Sequence, residues 1–124
     1  MSLAKPQPWQ IWWLKQKDSR SKTDPKQPND KSKDNRMFLV IAGWGNSQKI
    51  TACPIQTNYT GKIGQTEVEI LPSDYPTFLK NNSKIFCHEI VTVPIDSFTN
   101  QAGILKQADR DKVKTALKFY LRLL

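Results

Sequence analysis

The segment MFLVIAGW, residues 37–44, contains no charged side chain, and its apolar residues follow one another without alternation. This pattern is typical of a strand that is buried on both faces, so we expect a central strand here. Residues 9–14, WQIWWL, are rich in strand-forming residues and predict the first strand of the chain.

The stretch between these two strands has a different composition. Residues 15–36, KQKDSRSKTDPKQPNDKSKDNR, contain no large apolar residue and carry eight basic and four acidic side chains. Because little apolar area is available to offset the entropy of ordering, we predict a long, mobile, basic loop. Loops of more than about 15 residues inside a compact domain are uncommon and often functional. A solvated linker without a function is the alternative.

Three further strands are predicted downstream, at 49–56 (KITACPIQ), 65–71 (QTEVEIL) and 84–93 (KIFCHEIVTV), with a hairpin connection at 57–64. Pro54 cannot donate to a strand ladder, which predicts an edge or bulge position. From about Asp109 to Leu124 the apolar residues recur at helical spacing, and Asp109 is a candidate N-cap. The sequence therefore predicts one domain over residues 1–124 that is mainly β. Its five strands form a small antiparallel sheet, partly closed into a barrel and packed against a C-terminal helix.

The composition of the chain indicates which partners and which cellular location to expect. The chain has 124 residues, with 19 Lys and Arg against 11 Asp and Glu, and a net charge of +8 that favours polyanionic or acidic partners. The N-terminal MSLAKPQPW has no apolar signal region, and no apolar run could span a bilayer, so we expect a cytoplasmic protein without a membrane partner. Cys53 and Cys87 lack metal-site spacing, which predicts two buried thiols and no metal.

No familiar catalytic spacing occurs in the chain, but four scattered residues suit phosphate chemistry: Arg36, Gln56, Thr57 and His88. Breaking an RNA chain without a metal requires proton removal from a 2'-OH, protonation of the leaving 5'-oxygen and stabilisation of the added charge on phosphorus. Arginine can supply the stabilising donors, histidine can transfer protons, and threonine can position a phosphate. Each residue also has an ordinary interpretation: a solvated loop charge for Arg36, a structural histidine for His88 and a turn residue for Thr57.

The order of the segments resembles that of the MazF/PemK toxins of bacterial toxin–antitoxin pairs, over about Trp9 to Leu124. WQIWWL resembles the opening strand of that family, and Arg36 followed by MFLVIA resembles the arginine that opens its second strand. TACPIQTN resembles the strand that ends in a threonine or serine pair. KIFCHEIVTVPIDSF and the final GIL and KVKTALKFYL resemble its closing strands, turn and helix.

This resemblance implies an SH3-like barrel with a C-terminal helix, usually a homodimer. It implies an endoribonuclease that cuts single-stranded mRNA without a metal or other cofactor and is neutralised by an antitoxin with an acidic segment. Arg36 would take the position of the catalytic arginine, and Thr57, or Gln56 one residue earlier, that of the threonine. His88 falls where some members have a catalytic aspartate. Lys31 and Lys33 of the basic loop would guide the RNA.

Three positions depart from the family pattern. Met37 stands where proline is usual, and Phe86 and Val91 stand where basic residues occur. These departures motivate an alternative function, a catalytically inactive barrel that binds nucleic acid or a partner peptide.

Overall fold

The computed structural model describes residues 5–15, 35–43, 48–57 and 61–122. Seven strands and one α-helix occur in this part of the chain. They are β1 (Gln10–Lys15), β2 (Asn35–Ala42), β3 (Lys49–Thr57), β4 (Glu67–Ile70), β5 (Ser83–Phe86), β6 (Val91–Pro94), β7 (Phe98–Ile104) and α1 (Gln107–Leu121). A short 3-10 turn, Ile95–Ser97, joins β6 to β7.

The strands form one antiparallel sheet in the order β4, β5, β3, β2, β1, β7, and β6 pairs with β3. The expected mainly β fold with a C-terminal helix is confirmed. Among the described residues the sheet remains open, because its outer strands β4 and β7 are not paired with each other. The expected five strands were two too few: β7 was missed, and one predicted strand is divided into β5 and β6.

The apolar run that predicted a buried strand lies in β2, between β1 and β3. Met37 and Leu39 belong to the cluster beneath α1, whereas Phe38 and Val40 belong to a second cluster on the opposite face. Because successive side chains of a strand point to opposite faces, a strand with a core on each side needs an unbroken apolar sequence.

The strand pair β1 and β2 is longer than the sequence predicted. Leu14 pairs with Arg36 and Lys15 with Asn35, so Arg36 lies inside β2 rather than at the end of a loop. Most of the predicted basic loop, including Lys31 and Lys33, lies outside the described residues.

The prediction of one continuous strand over 84–93 was wrong. Ile55 pairs with Ile85 and Ala52 with Val91. The paired positions are therefore three residues apart on β3 but six residues apart on the segment that pairs with it. This segment is therefore too long to pair throughout with β3, and residues 87–90 leave the ladder and connect β5 to β6 through a turn. Pro54, which lacks an N–H, lies in β3 where the ladder with β6 has ended and that with β5 has not begun.

Helix α1 begins at Gln107, two residues before the predicted start, so Asp109 lies in the first turn instead of at the N-cap. Its apolar face is anchored by Val113 and Ala116, which are buried against the first core cluster. The helix ends at Leu121, where the next residue adopts a left-handed conformation. No helix among the described residues is both long and apolar enough to cross a membrane.

Candidate active site

Arg36 is a half-buried cation fixed to the sheet. Its Nε donates a 3.4 Å hydrogen bond to the carbonyl of Ile55 on β3. Its guanidinium carbon lies 6.0 Å from the ring centre of Phe38, two residues along the same face of β2. Burial lowers the pKa of Arg36 and the nearby charge of Glu89 raises it, but an arginine remains protonated in either case. The guanidinium has five N–H donors, and the bond to Ile55 uses one of them.

Gln56 and Thr57 lie on different sides of β3. Phe38 pairs with Pro54, and continuing this register by two residues puts Gln56 opposite Arg36. Thr57 has the same parity as Ile55, which is buried in the core beneath α1. Strand alternation therefore directs the exposed side chain of Gln56 to the Arg36 face and that of Thr57 to the other face.

His88 lies in the turn between β5 and β6, not within a strand. Its Nδ1 is 2.8 Å from the hydroxyl oxygen of Thr66, and its Nε2 is 3.5 Å from Oε2 of Glu89. The imidazole also contacts the ring of Phe86 at a centroid distance of 5.4 Å and that of Tyr120 on α1 at 6.4 Å. These contacts from separate elements fix the ring while a third of the side chain stays exposed.

A second cation is built into the same face of the sheet. Lys84 pairs across the strands with Gln56, and its Nζ lies 3.2 Å from Oε1 of Glu67 and 5.3 Å from the ring centre of Phe86. The backbone N–H of Gly64, 2.8 Å from Glu67 Oε1, and the Lys84 ammonium lower the pKa of Glu67. The charge of His88 also lowers the pKa of Glu67, so these two side chains interact electrostatically.

Cys87 follows β5 in the same turn as His88, and its thiol interacts with that of Cys53 on β3. Cys53 and Cys87 are both free and fully buried, as the sequence predicted. Their hydrogen bond, together with burial, raises the pKa of Cys53. Among the described residues, no group of three His, Cys, Asp or Glu side chains is arranged to hold a metal ion.

The structure thus brings together only part of the set that the sequence predicted. Arg36 and Gln56 share a face, and the charge of Glu89, which contacts His88, acts on Arg36, whereas Thr57 points away. Glu89 was missed because adjacent residues of a strand point to opposite faces, and residues 84–93 were predicted to be a strand. The close approach of Glu89 to its neighbour His88 arises only in the turn.

The arrangement combines the Arg36 guanidinium, an imidazole and a neighbouring carboxylate, which are groups that suit binding and proton transfer at a phosphodiester. A family model described as the PemK-like, MazF-like toxin of type II toxin–antitoxin systems matches residues 7–121. The chain belongs to this toxin family. The match includes Arg36, Gln56, His88 and all seven described strands.

Several solved structures match the fold of this chain. An endoribonuclease from Mycobacterial species, in complex with its cognate antitoxin, is 20% identical with a TM-score of 0.68, covering 96% of this chain and 97% of that one. A MazE–MazF structure from Deinococcus radiodurans is 16% identical with a TM-score of 0.65, covering 95% and 96%. The Mycobacterium tuberculosis toxin MazF-mt6 is 21% identical with a TM-score of 0.63, covering 73% and 90%. No curated protein matches the chain in sequence.

Proposed function

We propose that the chain is a toxin-type endoribonuclease that cleaves single-stranded mRNA by attack of a 2'-OH on the neighbouring phosphodiester, without a metal. The observation that carries this proposal is the position of Arg36. The guanidinium is anchored inside a central strand beside Gln56, and the charge of Glu89 acts on it. It therefore offers fixed donors to a phosphate. Family membership and the mycobacterial endoribonucleases of the same fold support the same activity.

Arg36 has the role of stabilising the charge that develops on the phosphorane-like transition state. Its N–H donors remain charged throughout the reaction, and the backbone bond to Ile55 keeps the guanidinium oriented before the substrate arrives. Donors that are positioned in advance need little reorganisation when the charge develops.

The contact that positions the scissile phosphate has two candidates. The sequence favours Thr57, whereas the shared face of the sheet favours Gln56, whose carboxamide can donate to a phosphate oxygen. We propose Gln56 as the first candidate and retain Thr57 as the second. Gln56→Ala and Thr57→Ala, compared side by side, distinguish the two residues.

His88 has the role of transferring protons, because imidazole changes its protonation state near neutral pH. Lys31 and Lys33 would contact the RNA backbone away from the cut. Contacts between such cations and phosphates release counterions, so binding should weaken as salt increases.

The proposed partners follow from the family and from charge. The mycobacterial endoribonuclease of the same fold is in complex with its cognate antitoxin, and a net charge of +8 suits an antitoxin with an acidic segment. Exposed apolar side chains at the end of α1, Phe119, Tyr120 and Leu121, suit a homodimer contact. A toxin that acts on mRNA would work in the cytoplasm.

Cleavage of a long single-stranded RNA in EDTA tests the proposal. Wild-type protein should produce discrete fragments, and Arg36→Ala should lower the rate by about 10²- to 10³-fold because one transition-state donor is lost. Arg122→Ala, which removes the same charge from an exposed position, is the matched control and should cleave normally. RNA that stays intact at high wild-type concentration would refute the enzyme, and binding without cleavage would favour the inactive barrel.

A further inference from the structure

Cleavage through a 2'-OH requires two proton transfers on opposite sides of the phosphorus atom. One group must take the 2'-OH proton, and another must give a proton to the leaving 5'-oxygen. A single histidine would have to perform both transfers in one turnover. The proposed reaction therefore calls for a second titratable group beside His88.

Glu89 is placed to be that group. Its Oε2 lies 3.5 Å from Nε2 of His88, and about half of its side chain is exposed. Its negative charge also acts on Arg36, so the carboxylate lies near both the guanidinium and the imidazole. The other ring nitrogen of His88 is held by the hydroxyl of Thr66 at 2.8 Å, which keeps Nε2 directed toward Glu89.

We propose that Glu89 is the general base of this site and that His88 is its general acid, an inference that rests on the proposed ribonuclease function. The bound phosphate separates the two side chains, and the Glu89 carboxylate takes the 2'-OH proton while the 2'-oxygen bonds to phosphorus. The bond from phosphorus to the 5'-oxygen breaks, its electron pair stays on that oxygen, and the oxygen takes a proton from the His88 imidazolium. The products are a 2',3'-cyclic phosphate and a 5'-hydroxyl.

The contact between the two side chains also restores the site for the next turnover. After cleavage Glu89 carries a proton and His88 is neutral, which is the reverse of the starting state. Once the product leaves, the 3.5 Å contact forms again and allows the proton to return from the carboxyl group to the imidazole, directly or through one water. A separate proton donor from solution is then not required.

The pH dependence of cleavage is influenced by the titratable and charged groups that face Glu89 and His88. These are Arg36 from β2, Glu67 from β4 with its partner Lys84 from β5, and the phenol of Tyr120 from α1. Activity should fall on the acid side as Glu89 takes up a proton, and on the alkaline side as His88 loses one.

The experiment is single-turnover cleavage of a long single-stranded RNA in EDTA, measured from acid to alkaline pH. Wild-type protein should give a bell-shaped profile. Glu89→Gln should lower the rate at neutral pH by about 10²-fold or more and abolish the decline on the acid side. Formate or acetate added to Glu89→Ala should restore part of the rate, because a free carboxylate can occupy the vacated space and accept the proton.

Asp111→Asn is the control, since it removes an exposed carboxylate near the start of α1, nine residues before Tyr120, and should leave the rate and the profile unchanged. Thermal unfolding of Glu89→Gln should match that of the wild type, because about half of the side chain is exposed and the amide has nearly the same shape. If Glu89→Gln cleaves within about threefold of wild type, or retains the acid decline, Glu89 is not the base although the ribonuclease remains. If wild-type protein itself leaves RNA intact, the proposed function fails first.

Discussion

Replacing Tyr75 by phenylalanine tests how α1 is held on the sheet. The Tyr75 hydroxyl is buried, donates a 2.5 Å hydrogen bond to Oδ2 of Asp109 in the first turn of α1, and accepts a 3.0 Å bond from the backbone N–H of Lys106. The remaining ion pair of Asp109, with Lys112 at 3.8 Å, is partly exposed and too weak to replace the lost bond.

The expected cost follows from these two bonds. A hydrogen bond to a charged group contributes about 1.5–3 kcal/mol and a neutral one about 1 kcal/mol, so Tyr75→Phe should lower the free energy of unfolding by about 2.5–4 kcal/mol. At roughly 4 °C per kcal/mol for a domain of this size, Tm should fall by about 10–16 °C. The buried ring remains in place, so the loss reports the hydroxyl and not the packing.

The same substitution has a signature at alkaline pH. Burial, and then the bond to Asp109, raise the pKa of Tyr75 above that of an exposed tyrosine. The neutral phenol is therefore favoured in the folded state, and its contribution is complete below about pH 10, the value for an unfolded tyrosine. That contribution is lost as the pH rises above this point. The difference in Tm between wild type and Tyr75→Phe should accordingly shrink.

Thermal and urea unfolding at neutral pH and above pH 10 measure both effects. Tyr120→Phe is the matched control, because its exposed phenol should contribute less than about 0.5 kcal/mol. A Tyr75→Phe protein as stable as the control, or a stability difference that does not change with pH, would refute this account of the helix anchor.

Two further predictions concern packing. A Cβ at Gly103 of β7 would meet Cε1 of Phe78 at 2.5 Å, so Gly103→Ala should destabilise by about 1–3 kcal/mol in urea unfolding. Gly64→Ala, whose nearest atom would be at 3.5 Å, is the control, and equal stability of the two variants would contradict the contact. Because Cys53 and Cys87 are fully buried, a maleimide should label them at the rate of unfolding, and rapid labelling in native buffer would show that the sheet opens there.

The sequence predicted the elements whose signal is local. The unbroken apolar run of β2 and the helical spacing of α1 depend on residues within a few positions of one another, and both were located to within about two residues. β7 was missed because FTNQAGI is half polar and contains a glycine, so its composition does not indicate a strand. It is nevertheless a strand, because it pairs with β1.

The candidate site divides in the same way. Arg36 could be identified from the sequence alone, because it directly precedes the apolar run of β2. Glu89 could not, because its contact with His88 requires a turn that strand periodicity excludes. The choice between Gln56 and Thr57 as the neighbour of Arg36 likewise depends on the register of β2 on β3, and a shift of one residue exchanges the two faces.

The sequence by itself determined the mainly β class, the buried central strand, the C-terminal helix and the basic charge, because hydrophobic patterning and composition are properties of the chain alone. Only the tertiary structure decided the break between β5 and β6, where paired positions are six residues apart on this segment and three apart on β3. The pairing on either side of this break depends on strands far apart in sequence. The residues left out of that pairing form the turn in which Glu89 contacts His88, and the charge of Glu89 acts on Arg36.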